Sequence, residues 1–208
     1  MKAFIVGAAD DFCTRGFKKE KGDLLIAADA GYGKIEDKSL VDAVIGDFDS
    51  LGYVPKADKV IRLKCEKDDT DTDSAAEYAV KAGADEIVFY ACLGGKLDHA
   101  IANLQLGVRL VRRGVGVRFE SRECTVYYVY GGELRLPARR SGRVSVFSPD
   151  ETQGVTIRGL KYEVGGITLT NAVALGVSNE FVGRDALISA EKGVLMVFVY
   201  EETDNIRS

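Results

Sequence analysis

The chain has 208 residues, enough for one large domain or two small ones with a real core. It is 46% hydrophobic and 29% charged, with a net charge of -4, which fits an ordinary soluble protein and argues against a nucleic-acid binder. No apolar run approaches the ~20 residues of a membrane-spanning helix.

Residues 2–8 read as a first buried strand. Asp10 and Asp11 cut off the Phe4-Ile5-Val6 run, so it is a strand and not a signal peptide. Residues 9–20 are polar and fit either a loop or a helix. A second strand is expected over 23–28, ending at Asp29-Ala30-Gly31, with a short helix or loop over 31–40. Residues 41–45 give a third strand, and 59–63 a weakly alternating fourth. Ala75, Tyr78, Ala79 and Ala82 stand at i, i+3, i+4 and i+7, which predicts a helix over 74–83. Thr70 or Thr72 can cap it, acidic residues fill its first turn, and Gly83 closes it. A fifth strand is expected over 86–92 and a sixth over 115–119. Between them, 100–113 reads as a helix with Ile101, Leu104, Val108 and Val111 on one side. This alternation predicts an α/β fold: a mostly parallel, Rossmann-like sheet with helices on both faces.

The pattern changes near Ser121. Beyond it, short runs alternate with turns over 125–130, 133–136, 143–147, 154–157, 167–169, 187–190 and 194–200. Gly131-Gly132 and Gly165-Gly166 read as hairpin-like breaks. The spacing predicts an antiparallel β-sandwich with no helix longer than two turns between 124 and 200. The expected division is 1–121 and 122–208. Cys13, Cys65, Cys92 and Cys124 are widely spaced and form no C-x-x-C pair, and His99 stands alone. Reduced thiols in a cytoplasmic protein are the expectation, and a His-based zinc site is excluded.

Four Asp-bearing motifs fall at strand ends or helix starts: Asp29-Ala30-Gly31, Gly46-Asp47-Phe48-Asp49-Ser50, Lys67-Asp68-Asp69-Thr70-Asp71 and Gly94-Gly95-Lys96-Leu97-Asp98-His99. In a parallel sheet the C-terminal strand ends share one edge, so the four motifs meet there. If strand geometry persists through the second motif, Asp47 and Asp49 point to one side and repel unless a cation lies between them. Hard carboxylate oxygens suit Mg²⁺, glycine turns admit phosphate oxygens, and lysine neutralises them. Each motif also has a plain structural role. Asp69 and Asp73 read as helix N-terminal residues complementing the macrodipole. Asp98 is either an N-cap or a site residue. No G-x-x-x-x-G-K-[ST] loop and no G-x-G-x-x-G fingerprint is present.

The order of these motifs resembles the thiamine pyrophosphokinase (thiamine diphosphokinase) family. The matches are A-D-x-G at 28–31, G-D-F-D-S at 46–50, K-D-x-T-D at 67–71, G-G-[RK]-x-D-H at 94–99 with Asn103 following, and G-[VI]-S-N at 176–179. Ala30 stands where the family usually has Gly, and Lys96 where it usually has Arg. The second change replaces a bidentate phosphate contact by a point charge. The resemblance implies an α/β catalytic domain binding ATP and Mg²⁺, then a β-sandwich domain binding thiamine, in a homodimer with shared active sites. It implies transfer of the pyrophosphoryl group of ATP to thiamine, giving thiamine diphosphate and AMP. Asp47, Asp49 and Asp71 would hold Mg²⁺. Asp29, Gly31, Asp68, Thr70, Gly94, Gly95 and Lys96 would bind ATP. Asp98, His99, Asn103, Ser178 and Asn179 would hold thiamine. Asp71 or Asp98 would take the hydroxyl proton, and Lys96 would steady the transferring phosphate. The rivals are Mg²⁺-dependent transfer to another alcohol and a non-catalytic nucleotide- or vitamin-binding module.

Overall fold

Near-continuous apolar runs build the first half of the chain, as they must where a parallel sheet is covered on both faces. The computed structural model describes residues 1–49, 51–55, 57, 59–63 and 70–200. It divides into two compact units, Met1–Arg122 and Glu123–Ser208. Among the described residues no helix is long and apolar enough to cross a membrane.

The first unit carries strands β1 (Lys2–Val6), β2 (Leu24–Ala28), β3 (Ala43–Gly46), β4 (Val60–Arg62), β5 (Glu86–Tyr90) and β6 (Gly116–Glu120). All pair in parallel, in the order β4-β3-β2-β1-β5-β6. The direction of winding reverses between β1 and β5, and the crevice there is where open parallel sheets bind ligands. Helices α1 (Gly31–Lys34), α2 (Asp71–Lys81) and α3 (Leu97–Arg112) complete the unit with a 3-10 turn over Lys38–Leu40. Right-handed crossovers put α2 and α3 on one face. The other face is an apolar layer of Phe4, Val6, Leu25, Ala27, Val88 and Tyr90. Tyr32, Ile35 and Phe48 close over it, with Phe12 and Phe17 at its margin.

The helices follow their sequence signals with one correction. Thr70 caps α2 by accepting the Asp73 N–H at 3.1 Å, and Gly83 follows it at φ +97°. In α3 the buried residues are Asn103, Leu106, Gly107, Val108 and Leu110. Of the side expected from Ile101, Leu104, Val108 and Val111, Val108 is buried and Leu104 and Val111 are half-buried, so the inner face is shifted towards Asn103, Leu106 and Gly107. Ile101 and Leu97 are solvent-exposed. Asn103 occupies the inner face because its amide donates to the Cys92 carbonyl there, which an apolar count overlooks.

The second unit is antiparallel among all its paired strands: β7 (Cys124–Leu136), β8 (Arg143–Phe147), β9 (Glu151–Arg158), β10 (Val164–Thr170), β11 (Gly176–Glu180) and β12 (Ala186–Tyr200). No helix occurs between 124 and 200. Strand β12 pairs with β7 along its length. Its first half also takes β9 and its second half β8. The expected breaks at Gly131-Gly132 and Gly165-Gly166 are not hairpins. Gly131-Gly132 lies inside β7 and Gly165-Gly166 inside β10, at shifts of register. Gly131 at φ +54° stands opposite a bulge of β12 that contains Gly193 at φ +95°. A Cβ on Gly193 would fall 2.5 Å from the Glu151 carbonyl oxygen. Across the bulge the inward residues of β12 change from Ala186, Ile188 and Ala190 to Leu195, Val197 and Val199. One core is thus served by a strand whose alternation slips once.

Candidate active site

The C-terminal ends of β1, β2 and β5 open into a cleft of about 470 Å³. Its lining comes from four stretches: Ala8 to Asp10 after β1, Ala28 and Asp29 at β2, Thr70 to Thr72 at the start of α2, and the turn from β5 into α3. That turn contributes Gly94, Gly95 and Lys96, and α3 adds His99 and Asn103. The starts of both long helices therefore border the cleft, where free N–H groups and the helix dipole favour anions.

Asp29, Asp47 and Asp71 each offer a carboxylate oxygen, and these lie within 4.8 Å of one another. Asp29 is buried at 6% exposure and takes φ +45°. Its backbone N–H donates to the Ile45 carbonyl at 2.9 Å, which ties the end of β2 to β3. Gly46 makes room for it, since a Cβ there would come within 3.0 Å of Asp29 Cα and Cβ. Asp29 Oδ1 is buried with no hydrogen-bond partner among the described residues. A buried carboxylate oxygen without a donor, beside two more carboxylates, fits a hard cation such as Mg²⁺.

The Gly46-to-Asp49 geometry differs from the extended one expected. Strand β3 ends at Gly46, and Phe48 turns to φ +65° with its ring buried. Asp47 joins the carboxylate group, whereas Asp49 is exposed and its N–H donates to Asp47 Oδ1 at 3.3 Å. Asp29, expected as an ATP contact, stands in the group in its place. Gly31 does not line the cleft. It lets α1 pack on the end of β1, where a Cβ would fall 2.0 Å from the Val6 carbonyl oxygen. Asp98 is exposed in the first turn of α3, where its Oδ1 accepts the His99 N–H at 2.9 Å. It neither lines the cleft nor caps the helix, whose N-cap is Lys96. Asn103 is buried and donates from Nδ2 to the Cys92 carbonyl at 2.7 Å. Asp68 lies outside the described residues. The Cys92 thiol, at the cleft floor, is pushed well above the usual thiol range by burial and then by the charge of Asp11. It is an inert neutral group.

In the second unit, Ser178 is exposed at φ +59°, and its N–H donates to Ser145 Oγ at 3.1 Å. The buried Asn179 amide holds Tyr162 as a strand partner would. Oδ1 accepts the Tyr162 N–H at 3.0 Å, and Nδ2 donates to the Tyr162 carbonyl at 2.7 Å. Tyr162 is 61% exposed, with Lys161 Nζ 5.5 Å from its ring centroid. Sequence reasoning missed the backbone pairing of Asn179 with Tyr162 and the place of the 8–10 loop in the cleft lining. The Asp-Asp pair directly after the first strand was the one signal for the latter.

Comparison with known proteins matches both units in order. Residues 18–119 match the family model "Thiamin pyrophosphokinase, catalytic domain", and residues 134–195 match "Thiamin pyrophosphokinase, vitamin B1 binding domain". The thiamine pyrophosphokinase of Bacillus subtilis (strain 168) is 27% identical over 183 residues, covering 84% of this chain and 86% of that protein. A crystal structure of the Bacillus subtilis thiamine pyrophosphokinase superposes with a TM-score of 0.84 at 23% identity, covering 97% of this chain and 100% of the other. One of a thiamin pyrophosphokinase from Geobacillus thermodenitrificans gives 0.81 at 22% identity, covering 98% and 99%. These likenesses establish the fold. The two family models, in order along most of the sequence, establish that the chain belongs to the thiamin pyrophosphokinase family.

Proposed function

We propose that this protein transfers the pyrophosphoryl group of ATP to the hydroxyl of thiamine, releasing AMP and thiamine diphosphate. The observation that carries the reading is the meeting of Asp29, Asp47 and Asp71 beside a cleft floored by the Gly94-Gly95-Lys96 turn. In such a transfer the thiamine oxygen forms a bond to the β-phosphorus, and the bond from that phosphorus to the AMP oxygen breaks. We assign Mg²⁺ to Asp29, Asp47 and Asp71, with Asp49 at their edge. Bound there, Mg²⁺ supplies neutralisation of the polyphosphate oxygens. The Gly94 and Gly95 turn and the starts of α2 and α3 receive the phosphates, and Lys96 contributes its charge to them. The hydroxyl proton goes to a cleft carboxylate. We assign Asp71 rather than Asp98, because Asp71 lines the cleft and Asp98 does not.

Residues 1–121 make the catalytic part in this reading and 122–208 the thiamine-binding part. Since the Asn179 amide is engaged with Tyr162, we assign Asn179 the holding of Tyr162. Ser178 and the Tyr162 ring then become the groups offered to thiamine. Their surroundings support a homodimer with shared sites. Val173, Leu175 and Val177 next to Ser178 are exposed, an apolar patch of the kind that marks interfaces. We place the reaction in the cytoplasm, in keeping with the free thiols of Cys13, Cys92 and Cys124.

The test is AMP formation from ATP and Mg²⁺ across a panel of alcohols. Strong dependence on thiamine is expected, and equal rates with other alcohols refute the assignment. The dimer is tested by mixing Asp47→Asn and Tyr162→Ala chains. Subunit exchange should restore one intact site per mixed dimer, and exchange without recovered activity refutes the shared site.

A further inference from the structure

The backbone that leaves β5 is strained and then caught three times in succession. Ala91 takes the left-handed φ of +53°, which a non-glycine residue keeps only when its surroundings impose it. The Ala91 carbonyl accepts the Ala9 N–H at 2.9 Å. The next carbonyl, of Cys92, accepts Asn103 Nδ2 at 2.7 Å. The next N–H, of Leu93, donates to Asp11 Oδ2 at 3.1 Å. Gly94 then lies directly on Asp11, for a Cβ there would be 3.0 Å from both the Asp11 Cβ and its backbone N. Gly94, Gly95 and Lys96 face the cleft, while Asp11 stays behind them and does not line it. Asp11 is in turn fixed from the end of β6. Its carbonyl accepts the Arg122 N–H at 3.2 Å, Arg122 Nε donates to the Phe12 carbonyl at 3.2 Å, and Arg15 Nη1 donates to the Ser121 carbonyl at 3.0 Å. Asp11 Oδ1 is buried and has no partner among the described residues. Such an oxygen lowers stability, so Asp11 holds its place for the turn that it fixes.

We propose that Asp11 is the positioning residue for the phosphate-binding turn. Through the Leu93 N–H it sets where the Gly94 and Gly95 amides and Lys96 meet the ATP polyphosphate, without touching ATP itself. The proposal rests on the ATP-dependent reading above. The test is calorimetric titration of the full chain with ATP and Mg²⁺, thiamine left out, alongside steady-state kinetics and thermal melting. Asp11→Ala should weaken ATP binding about tenfold and raise the KM for ATP in proportion, as loss of a hydrogen bond to a charged group does. The KM for thiamine should stay within about twofold, since the acceptor site is untouched. Asp11→Asn keeps an acceptor for Leu93 and should remain within about threefold of wild type in ATP affinity. A merely structural role lowers the melting temperature and leaves ATP affinity unchanged, and that result overturns the proposal. So does an Asn variant as weak as the Ala variant. If Asp11→Ala fails to fold, Gly94→Ala displaces the same contact from the other side and should show the same ATP-selective loss; ATP affinity equal to wild type there also overturns it. Failure of the wild-type chain to bind ATP would instead overturn the functional reading.

Discussion

Replacing Asp29 by Asn separates the charge of the carboxylate group from its shape. Asn tolerates the left-handed conformation that Asp29 adopts at φ +45°, so the backbone need not move. Three carboxylate oxygens lie within 4.8 Å of each other. At an effective dielectric of ~20, each pair of unit charges at that separation repels by roughly 3–4 kcal/mol. Asp29 takes part in two of the three pairs. Asp47 and Asp71 are half-exposed, so solvent cuts this repulsion several-fold and leaves about 1–2 kcal/mol in the metal-free protein. For a chain of this size that is a rise of about 3–6 °C in melting temperature with chelator present. Adding Mg²⁺ at about a hundred times its Kd should stabilise the wild type by about 2.7 kcal/mol. Most of that gain should vanish in Asp29→Asn, together with turnover. Thermal melting with chelator and across an Mg²⁺ titration, without ATP, reads both effects. A lower melting temperature in chelator, or an undiminished Mg²⁺ response, refutes the reasoning.

Gly31→Ala drives a Cβ to 2.0 Å from the Val6 carbonyl oxygen, so α1 must lift off the sheet. A loss of about 2–3 kcal/mol in urea denaturation is expected, against little change for Gly33→Ala, where no atom beyond its own helix backbone and chain neighbours lies within 4 Å. Asn179→Ala leaves the Tyr162 N–H and carbonyl without their partner and should cost about 2–3 kcal/mol; it should raise the KM for thiamine and spare that for ATP. The Arg113 guanidinium, hydrogen-bonded to Glu77, holds its carboxyl below the usual value of 4.5, with burial opposing. A lowered folded-state value means stability present above the unfolded value and lost as pH falls through the folded one. Glu77→Gln should therefore be less stable at neutral pH, by under about 1 kcal/mol for so exposed a pair, and the gap should close in acid.

The strands of the first unit were legible because burial on both faces leaves runs such as Phe4-Ile5-Val6 and Ile87-Val88-Phe89 with little else to be. Glycine pairs misled for a related reason. A hairpin turn and a β-bulge both need positive φ, so Gly131-Gly132 and Gly165-Gly166 satisfy either. Only cross-strand register separates the two, and register is a property of the partner strand, distant β12 for Gly131-Gly132 and the preceding β9 for Gly165-Gly166. The inner face of α3 was misjudged because Asn103 is buried for a single hydrogen bond to Cys92, which no apolar period reveals.

The site was legible as a set of motifs but not as a set of ligands, and the difference lies in the backbone. Four non-glycine residues of the described chain take positive φ: Asp29, Phe48, Ala91 and Ser178. The first three follow the ends of β2, β3 and β5, on the edge where the cleft opens. Each turn redirects the chain immediately after a strand. At Phe48 it buries the ring among Val44, Tyr32 and their neighbours, and in doing so parts Asp47 from Asp49. At Asp29 it presents the carboxylate beside those of Asp47 and Asp71. At Ala91 it leads into the turn that carries Lys96. Phe and Ala carry no signal for the left-handed region and Asp only a weak one, and extended geometry is the natural default after a strand. Strain of this kind persists where surrounding contacts over-determine it, and it gathers at functional sites. The motifs therefore announce that carboxylates and phosphate-binding turns share an edge. Which carboxylates meet is decided by two strained residues of the turns themselves, Asp29 and Phe48.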